Sequence, residues 1–190
     1  MDLTSVTPGV QQLKALSHPV RVRMLGLLRV DGPATATMLA SRLGLTSGAT
    51  SYHLRQLAQH GFVVDDEARG NGRDRWWKAA HSATTTRGDA ERGADGEEAL
   101  DAYLQSVAVV MTELLQRSVE ERPSLSKEWR DASQIGDWVI ELTPRRAKAV
   151  VEALIAEIEE VEEDEGAEEA EAFVIQLHAF PLPGRIGGAS

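Results

Sequence analysis

Apolar residues recur at helical spacing through much of the first 60 positions. The first such stretch is Val10–Leu16, which stops shortly before Pro19. Proline suits the first turn of a helix because its missing N–H would have no helical partner there, so a second helix is predicted from Pro19. Its apolar stripe consists of Val20, Met24, Leu27 and Leu28. Asp31, Gly32 and Pro33 are predicted to end this helix.

Two short helices are predicted next, with a turn that contains Gly44 between them. Thr35 is expected to cap the first, whose apolar residues are Met38, Leu39 and Leu43. The second begins near Thr46 and Ser47 and stops before Gly61. Its apolar set is Thr50, Leu54, Leu57 and Ala58. Two short helices joined by a glycine-containing turn of a few residues are typical of a helix-turn-helix.

A hairpin is predicted directly after this pair of helices. Phe62–Val64 has the composition of a strand, and Arg75–Lys78 that of the returning strand. Arg69–Arg73 lies between them and contains Asn-Gly, a strong signal for a tight hairpin turn. A basic hairpin that follows a helix-turn-helix indicates a wing.

The second half of the chain begins with a linker and a long helix. Residues 82–96 are small, polar and charged, which is typical of a linker. A helix predicted from about Glu97 to Glu121 has an apolar face wider than a surface helix needs, so it is our candidate for dimerisation, together with Val10–Leu16. That face consists of Leu100, Tyr103, Leu104, Val107, Val110, Met111, Leu114 and Leu115.

The remaining pattern is strand, helix, strand. Strands are predicted at Trp138–Leu142 and Phe173–Leu177, and a helix opened by Thr143 and Pro144 runs between them to about Val161. The predicted fold is therefore α+β. A winged helix-turn-helix domain occupies residues 1–81, a linker 82–96, and the long dimerisation helix with a small α/β C-terminal domain residues 97–190.

Charge is divided unevenly along the chain. The net charge is −10, yet residues 1–80 hold 10 Lys and Arg against 6 Asp and Glu, whereas residues 81–190 hold 10 against 24. The first half is thus basic by 4 charges and the second acidic by 14, which suggests that only the first half binds a polyanion.

There is no cysteine, which excludes disulfides and thiolate metal sites. No signal peptide or membrane span is visible, so we expect a cytoplasmic protein.

The third helix of the pattern has two distinct faces when residues 47–59 are placed at about 100° each. Thr50, Leu54 and Leu57 cluster on one face. The other carries hydroxyls, an amide and one guanidinium, with no carboxylate, as suits a helix in the major groove of DNA. Its members are Ser47, Gly48, Ser51, Tyr52, Arg55 and Gln59. A solvated surface of a core helix would present a similar face, so the pattern alone leaves both interpretations open.

The hairpin and the histidines complete the list of candidates. Arg69, Arg73 and Arg75 lie in or beside the hairpin, within predicted reach of DNA phosphates, although surface arginines also serve solubility. His53 flanks the apolar stripe of its helix and is expected to be a partly buried structural residue. His18, just before Pro19, is expected to cap a helix rather than to bind a metal. The five histidines lack ligand spacing, so no metal or cofactor is predicted.

Two segments resemble a known family. Ala15–Leu25, with the sequence ALSHPVRVRML, resembles the opening helix of arsenical-repressor-type (ArsR-type) winged-helix regulators. Thr50–Leu57, with the sequence TSYHLRQL, and the following Gly-Phe-Val resemble that family's recognition helix and the strand after it. The resemblance implies DNA-facing roles for Ser47, Ser51, Tyr52 and Arg55, a homodimer formed through the outer helices, and repression released by a signal.

The expected partners are therefore double-stranded DNA, a second copy of the chain, and an unidentified small-molecule effector. Trp129 and Trp138 are candidates to line an apolar effector pocket. Two alternatives remain open: a winged-helix module that binds protein, and an enzyme housed in the acidic half. No phosphate-binding loop, nucleophile elbow or paired-histidine motif is present, so we do not expect an enzyme.

Overall fold

The computed structural model describes residues 4–69, 74–86, 93–164 and 166–185. The helices are α1 (Val10–Leu16), α2 (Pro19–Val30), α3 (Ala36–Leu43), α4 (Ser47–Gln59), α5 (Gly93–Glu121), α6 (Lys127–Ala132) and α7 (Pro144–Glu159). The strands are β1 (Ser5–Val6), β2 (Ala34–Thr35), β3 (Val63–Asp65), β4 (Trp76–Ala79) and β5 (Ala83–Thr84). A single 3-10 turn, Arg122–Ser124, follows α5. Within the described residues, no helix combines the length and apolar character needed to cross a bilayer.

The helices of the N-terminal region form where local sequence signals predict them. His18 is the N-cap of α2, and the hydroxyls of Thr35 and Thr46 accept hydrogen bonds from the backbone N–H groups of Met38 and Ala49 at 3.3 Å each. Such caps satisfy backbone donors that the first helical turn leaves without partners. Gly44, at φ 64°, ends α3 in the left-handed conformation that glycine adopts without strain. The two helices of the predicted helix-turn-helix are therefore present.

A three-stranded antiparallel sheet follows, in the order β2-β4-β3. Ala34 lies opposite Trp77, and Val63 lies opposite Ala79. The β3–β4 pair is the hairpin expected from the sequence. The expected turn at Gly70–Arg73 lies outside the described residues.

One apolar core lies under these elements. It includes a fully buried polar residue, Thr50. The Thr50 hydroxyl donates to the carbonyl of Thr46 at 3.0 Å, so its hydrogen is paired despite burial. The largest fully buried apolar side chains are Leu13, Leu16, Met24, Leu39, Leu54, Leu57, Phe62 and Val63. The apolar stripe of α4 therefore faces the core, as its spacing predicted, and this fixes which side of α4 faces outwards.

Helix α5 packs on this core. Ala99 and Tyr103 are buried among the core residues, and Glu113 binds both Nε and a terminal nitrogen of Arg23 on α2. The helix begins at Gly93, four residues earlier than predicted, and Ala83–Thr84 pairs in parallel with Ser5–Val6. The predicted linker at 82–96 is therefore structured at both ends. The described residues up to Pro123 form one compact unit and those from Ser124 a second.

The second unit contains α6 and α7. Thr143 caps α7 by accepting from the backbone N–H of Arg146 at 3.3 Å, as the Thr-Pro signal suggested. The strands predicted at Trp138–Leu142 and Phe173–Leu177 are wrong, because neither segment has a strand partner among the described residues. Strand composition predicts only an extended backbone; a strand also needs a neighbour for its hydrogen bonds. The described part of the predicted α/β C-terminal domain thus contains helices and segments without regular secondary structure.

Candidate nucleic-acid interface

The outward face of α4 carries the side chains that the sequence assigned to DNA. Ser47, Gly48, Tyr52 and Arg55 are exposed, with about half of Tyr52 (51%) accessible to solvent, and Ser51 is half-buried. Thr50, Leu54 and Leu57 anchor the opposite face in the core. No Asp or Glu occurs anywhere in Ser47–Gln59. The structure therefore brings the five candidate residues of α4 together on one accessible surface.

A shallow cleft of about 210 Å³ adjoins this surface. Ser51 and Arg55 line it from α4, and Thr35, Ala36 and Thr37 line it where α3 begins. Asp74, Arg75 and Trp77 line it from the sheet. The cleft thus joins three parts of the fold, and its polar side chains are three hydroxyls, two guanidinium groups and the carboxylate of Asp74. Hydroxyls and guanidinium groups are hydrogen-bond donors of the kind that bind phosphate oxygens.

Arg75 is held in place by two neighbours. Its Nε donates to Oδ2 of Asp65 at 2.6 Å, and its guanidinium carbon lies 4.1 Å from the centre of a Trp77 ring. The side chain remains 58% exposed. An exposed ion pair of this kind contributes little to stability, so Arg75 can exchange its carboxylate partner for another anion at low cost.

Arg69 has a similar environment on β3's side of the hairpin. Its Nε is 3.6 Å from Oδ2 of Asp66, and its guanidinium lies 5.8 Å from the centre of a Trp76 ring. Asp66 is largely buried and also accepts from Nζ of Lys78 at 3.2 Å. Arg69 itself is exposed. Arg73, the third predicted wing arginine, lies outside the described residues.

Two histidines lie behind the interface rather than on it. His53 is half-buried on the side of α4 that meets His18, as expected for a structural residue. Nδ1 of His18 accepts a hydrogen bond from the backbone N–H of Val20 at 3.2 Å, which confirms its capping role. Among the residues that the structure describes, no three His, Asp or Glu side chains are grouped so that they could hold a metal ion.

Sequence reasoning missed the residues that position the hairpin. Asp65 and Asp66 bind the wing arginines, and Arg29 donates to the carbonyl of His81 at 2.9 Å and to the Thr84 hydroxyl at 2.8 Å. Burial lowers the pKa of Arg29, with an opposing effect from nearby Tyr103. Asp65 and Asp66 could have been noticed in the sequence, because they lie beside a basic hairpin. The contacts of Arg29 join residues more than 50 positions apart, so no local sequence pattern indicates them.

Comparison with known proteins identifies a helix-turn-helix domain in the part of the chain that contains α2, α3 and α4. Residues 16–65 match the family model described as a helix-turn-helix domain. A stretch of 68 residues is 37% identical to the HTH-type transcriptional regulator NmtR of Mycobacterium tuberculosis. That stretch covers 36% of this chain and 56% of NmtR, so the match spans just over half of the relative. Both matches agree with the resemblance seen in the sequence.

A solved structure of a double mutant of ZitR from Lactococcus lactis, in its apo form, is also similar. The alignment covers 73% of this chain and 81% of that one, at 15% sequence identity and a TM-score of 0.32. A score this low carries no conclusion about the fold.

Proposed function

We propose that this chain, a helix-turn-helix protein of the ArsR type, is a sequence-specific DNA-binding transcriptional regulator that acts as a homodimer. The helix-turn-helix domain is supported by the matches at residues 16–65 and over the 68 residues aligned with NmtR, and the ArsR type by the resemblance of the sequence. The function of the whole chain goes further than those matches. Its support comes from the surface of α4, the wing and the long helix.

The outward face of α4 is the observation that carries the proposal. It is accessible, contains no carboxylate, and combines the Arg55 guanidinium with the hydroxyls of Ser47, Ser51 and Tyr52. Arg can form two hydrogen bonds to guanine in the major groove, and hydroxyls can bind bases or phosphates. Gly48 leaves the first turn without a side chain, so the backbone can approach the duplex closely. A helix that bound a protein partner would present a more apolar face at the centre of its interface.

The wing and the cleft would bind the phosphate backbone. Arg69 and Arg75 are exposed. Arg75 pairs with the partly exposed Asp65, so it can transfer to a phosphate at low cost. Arg69 lies 3.6 Å from the largely buried Asp66, and its exposed guanidinium can still meet a phosphate. The cleft between Arg75 and Arg55 lies where a strand of the duplex would pass if α4 entered the groove. Arg73 would add a further charge. Phosphate contacts of this kind fix the register of the protein but carry no sequence information.

The homodimer is proposed from α5. One side of this helix packs on the core, while large apolar residues on its other sides are exposed. They are Leu104, Val109, Leu114, Leu115 and Val119. Burying some of these residues against a second copy would remove apolar area from water. A two-fold dimer would place two recognition helices about 34 Å apart, one turn of DNA.

Repression and release by a small-molecule effector complete the proposal. The second unit is the candidate effector region, and Trp129 stacks on Phe173 there, with ring centres 6.2 Å apart. Trp138, the other predicted pocket residue, is 77% exposed. An effector that covered Trp138 would change its fluorescence.

The protein-binding module remains the second candidate, because the same winged fold can present α4 to a protein.

The proposal is tested by binding to a pool of random-sequence duplexes, measured by fluorescence anisotropy at two salt concentrations. Arg55→Glu places a carboxylate on the outward face of α4 and should abolish binding because it repels phosphate. Arg145→Glu makes the same charge change on α7 and should leave binding intact. Equal effects of the two substitutions would contradict a role for α4. Failure of the unmodified protein to bind at either salt concentration would favour the protein-binding module.

A further inference from the structure

Two imidazoles meet where the start of α2 lies beside α4. The ring centres of His18 and His53 are 4.7 Å apart, with the ring planes inclined at 54°. His18 caps α2, whereas His53 follows Tyr52 on the helix proposed to read DNA. The contact therefore joins the cap of one helix to the helix that carries the binding surface.

The cap requires a neutral His18. Nδ1 can accept the hydrogen bond from the Val20 N–H only while it carries no proton. A second proton on the ring would direct an N–H at the N–H of Val20 and place a cation at the positive end of the helix dipole. Burial and then the charge of Arg21 lower the pKa of His18; a backbone hydrogen bond opposes them, and Arg23 lowers it by a smaller amount.

His53 is equally unsuited to carry a charge. Its Nδ1 is buried and has no hydrogen-bond partner among the described residues, so a proton there would be an unsatisfied donor. Burial, followed by the charges of His18 and Arg21, lowers the pKa of His53. Nε of Arg21 is also buried and has no hydrogen-bond partner in the described part of the chain. Because its guanidinium is a cation, it cannot stabilise a protonated imidazole.

Among the described residues, the causes of the two lowered pKa values include no carboxylate. Arg21 and Arg23 on α2 are the charges that act on the imidazoles. From α1, Lys14 contributes its backbone carbonyl to Arg21 at 3.4 Å. From α5, Glu113 is engaged with Arg23 through both carboxylate oxygens. On α4, the Tyr52 ring lies edge-on to His53, with ring centres 5.5 Å apart.

We propose that His18 and His53 are positioning residues that hold α4 against α2 only while both imidazoles are neutral, so that acidification loosens α4 and weakens DNA binding. The contact itself stands on the geometry of the pair. Its consequence for DNA rests on the proposed function.

The direction of the pH effect follows from the lowered pKa values. Because folding lowers the pKa of each imidazole below its ordinary value of 6.5, the unfolded chain takes up protons first as the pH falls. The stability that the pair contributes is therefore complete above pH 6.5. It is lost as the pH falls below 6.5 and through the lower pKa values of the folded protein.

The first arm of the test measures urea unfolding of the full chain at about pH 8 and about pH 5.5. His18→Asn keeps a side-chain oxygen that can cap α2 but does not titrate, and His18→Asn/His53→Asn removes both imidazoles. His178→Asn, at an exposed position in the second unit, is the matched control. We expect the unmodified protein and the control to lose more stability on acidification than either cap variant. Equal losses in all four proteins would overturn the proposal.

The second arm measures affinity for the random-duplex pool at the same two pH values. The affinity of the unmodified protein should fall more on acidification than that of His18→Asn, because only the unmodified protein can protonate an imidazole at position 18. A rise in affinity that disappears in His18→Asn would overturn the proposal, because it would mean that the imidazolium contacts phosphate. If the unmodified protein does not bind DNA at about pH 8, the proposed function is refuted. The unfolding measurements would still test whether the contact between His18 and His53 holds α4 against α2.

Discussion

The Arg75 guanidinium lies over the ring of Trp77, with its carbon 4.1 Å from the ring centre, at the edge of the cleft beside α4. Trp77 is buried in the core, so its ring is a fixed platform. Asp65 binds the same guanidinium from the side. The wing arginine is thus pre-oriented but partly neutralised, and removing the carboxylate should expose its charge.

Asp65→Asn should strengthen binding to random-sequence duplex DNA. The substitution frees Arg75 to bind a phosphate, so the slope of log affinity against log salt should steepen by roughly one. Anisotropy titrations across a salt series measure both quantities. Asp137→Asn, which makes the same charge change in the second unit, should have a much smaller effect. If the two variants behave alike, net charge rather than Arg75 controls binding.

Arg55→Ala should weaken binding to a preferred duplex by about 1–3 kcal/mol if Arg55 binds guanine. The loss should be smaller on duplexes altered at the contacted position, because they lack the bonding partner. Competition titrations with single-base variants of the preferred duplex locate that position. Arg42→Ala on α3, where Arg42 pairs with Asp31, is the control and should change affinity little. A uniform loss on every sequence would assign Arg55 to a phosphate.

Leu54→Ala should destabilise the first unit by about 2–5 kcal/mol, because it deletes a fully buried side chain and leaves a cavity. The measurement is urea unfolding followed by circular dichroism. Val64→Ala, at a position 42% exposed on β3, is the control and should cost much less. Similar losses in the two variants would contradict the orientation of α4 described above.

Leu115→Glu should weaken the homodimer. Leu115 is 39% exposed on α5, so its carboxylate substitute is tolerated in the monomer but would lie unpaired in a buried interface. Sedimentation velocity across micromolar concentrations measures the shift towards monomer. Glu120→Gln, at an exposed position on the same helix, serves as control. A chain that sediments as a monomer without any substitution would remove the dimer from the account.

Local signals predicted the helix-turn-helix correctly for physical reasons. Thr35 and Thr46 form hydrogen bonds within three residues, and the stripe of Thr50, Leu54 and Leu57 follows directly from helical geometry. These features are encoded over a few positions. The separation of the two faces of α4 could therefore be derived without tertiary contacts.

Features that depend on distant contacts could not be derived in the same way. Arg29 binds His81 and Thr84, which are more than 50 residues away. The segments at 138–142 and 173–177 have strand composition, yet no strand forms there among the described residues. Composition specifies what a backbone prefers, whereas pairing and long-range ion pairs depend on which partner the fold brings near.

The most direct test of the central claim is selection of bound sequences from a random duplex library. We expect enrichment of an inverted repeat with half-sites one helical turn apart, because two copies of α4 would enter successive major grooves on one side of the duplex. The enriched sequence should be lost when the selection uses Arg55→Ala. Salt-sensitive binding without any enriched sequence would contradict sequence-specific recognition by α4.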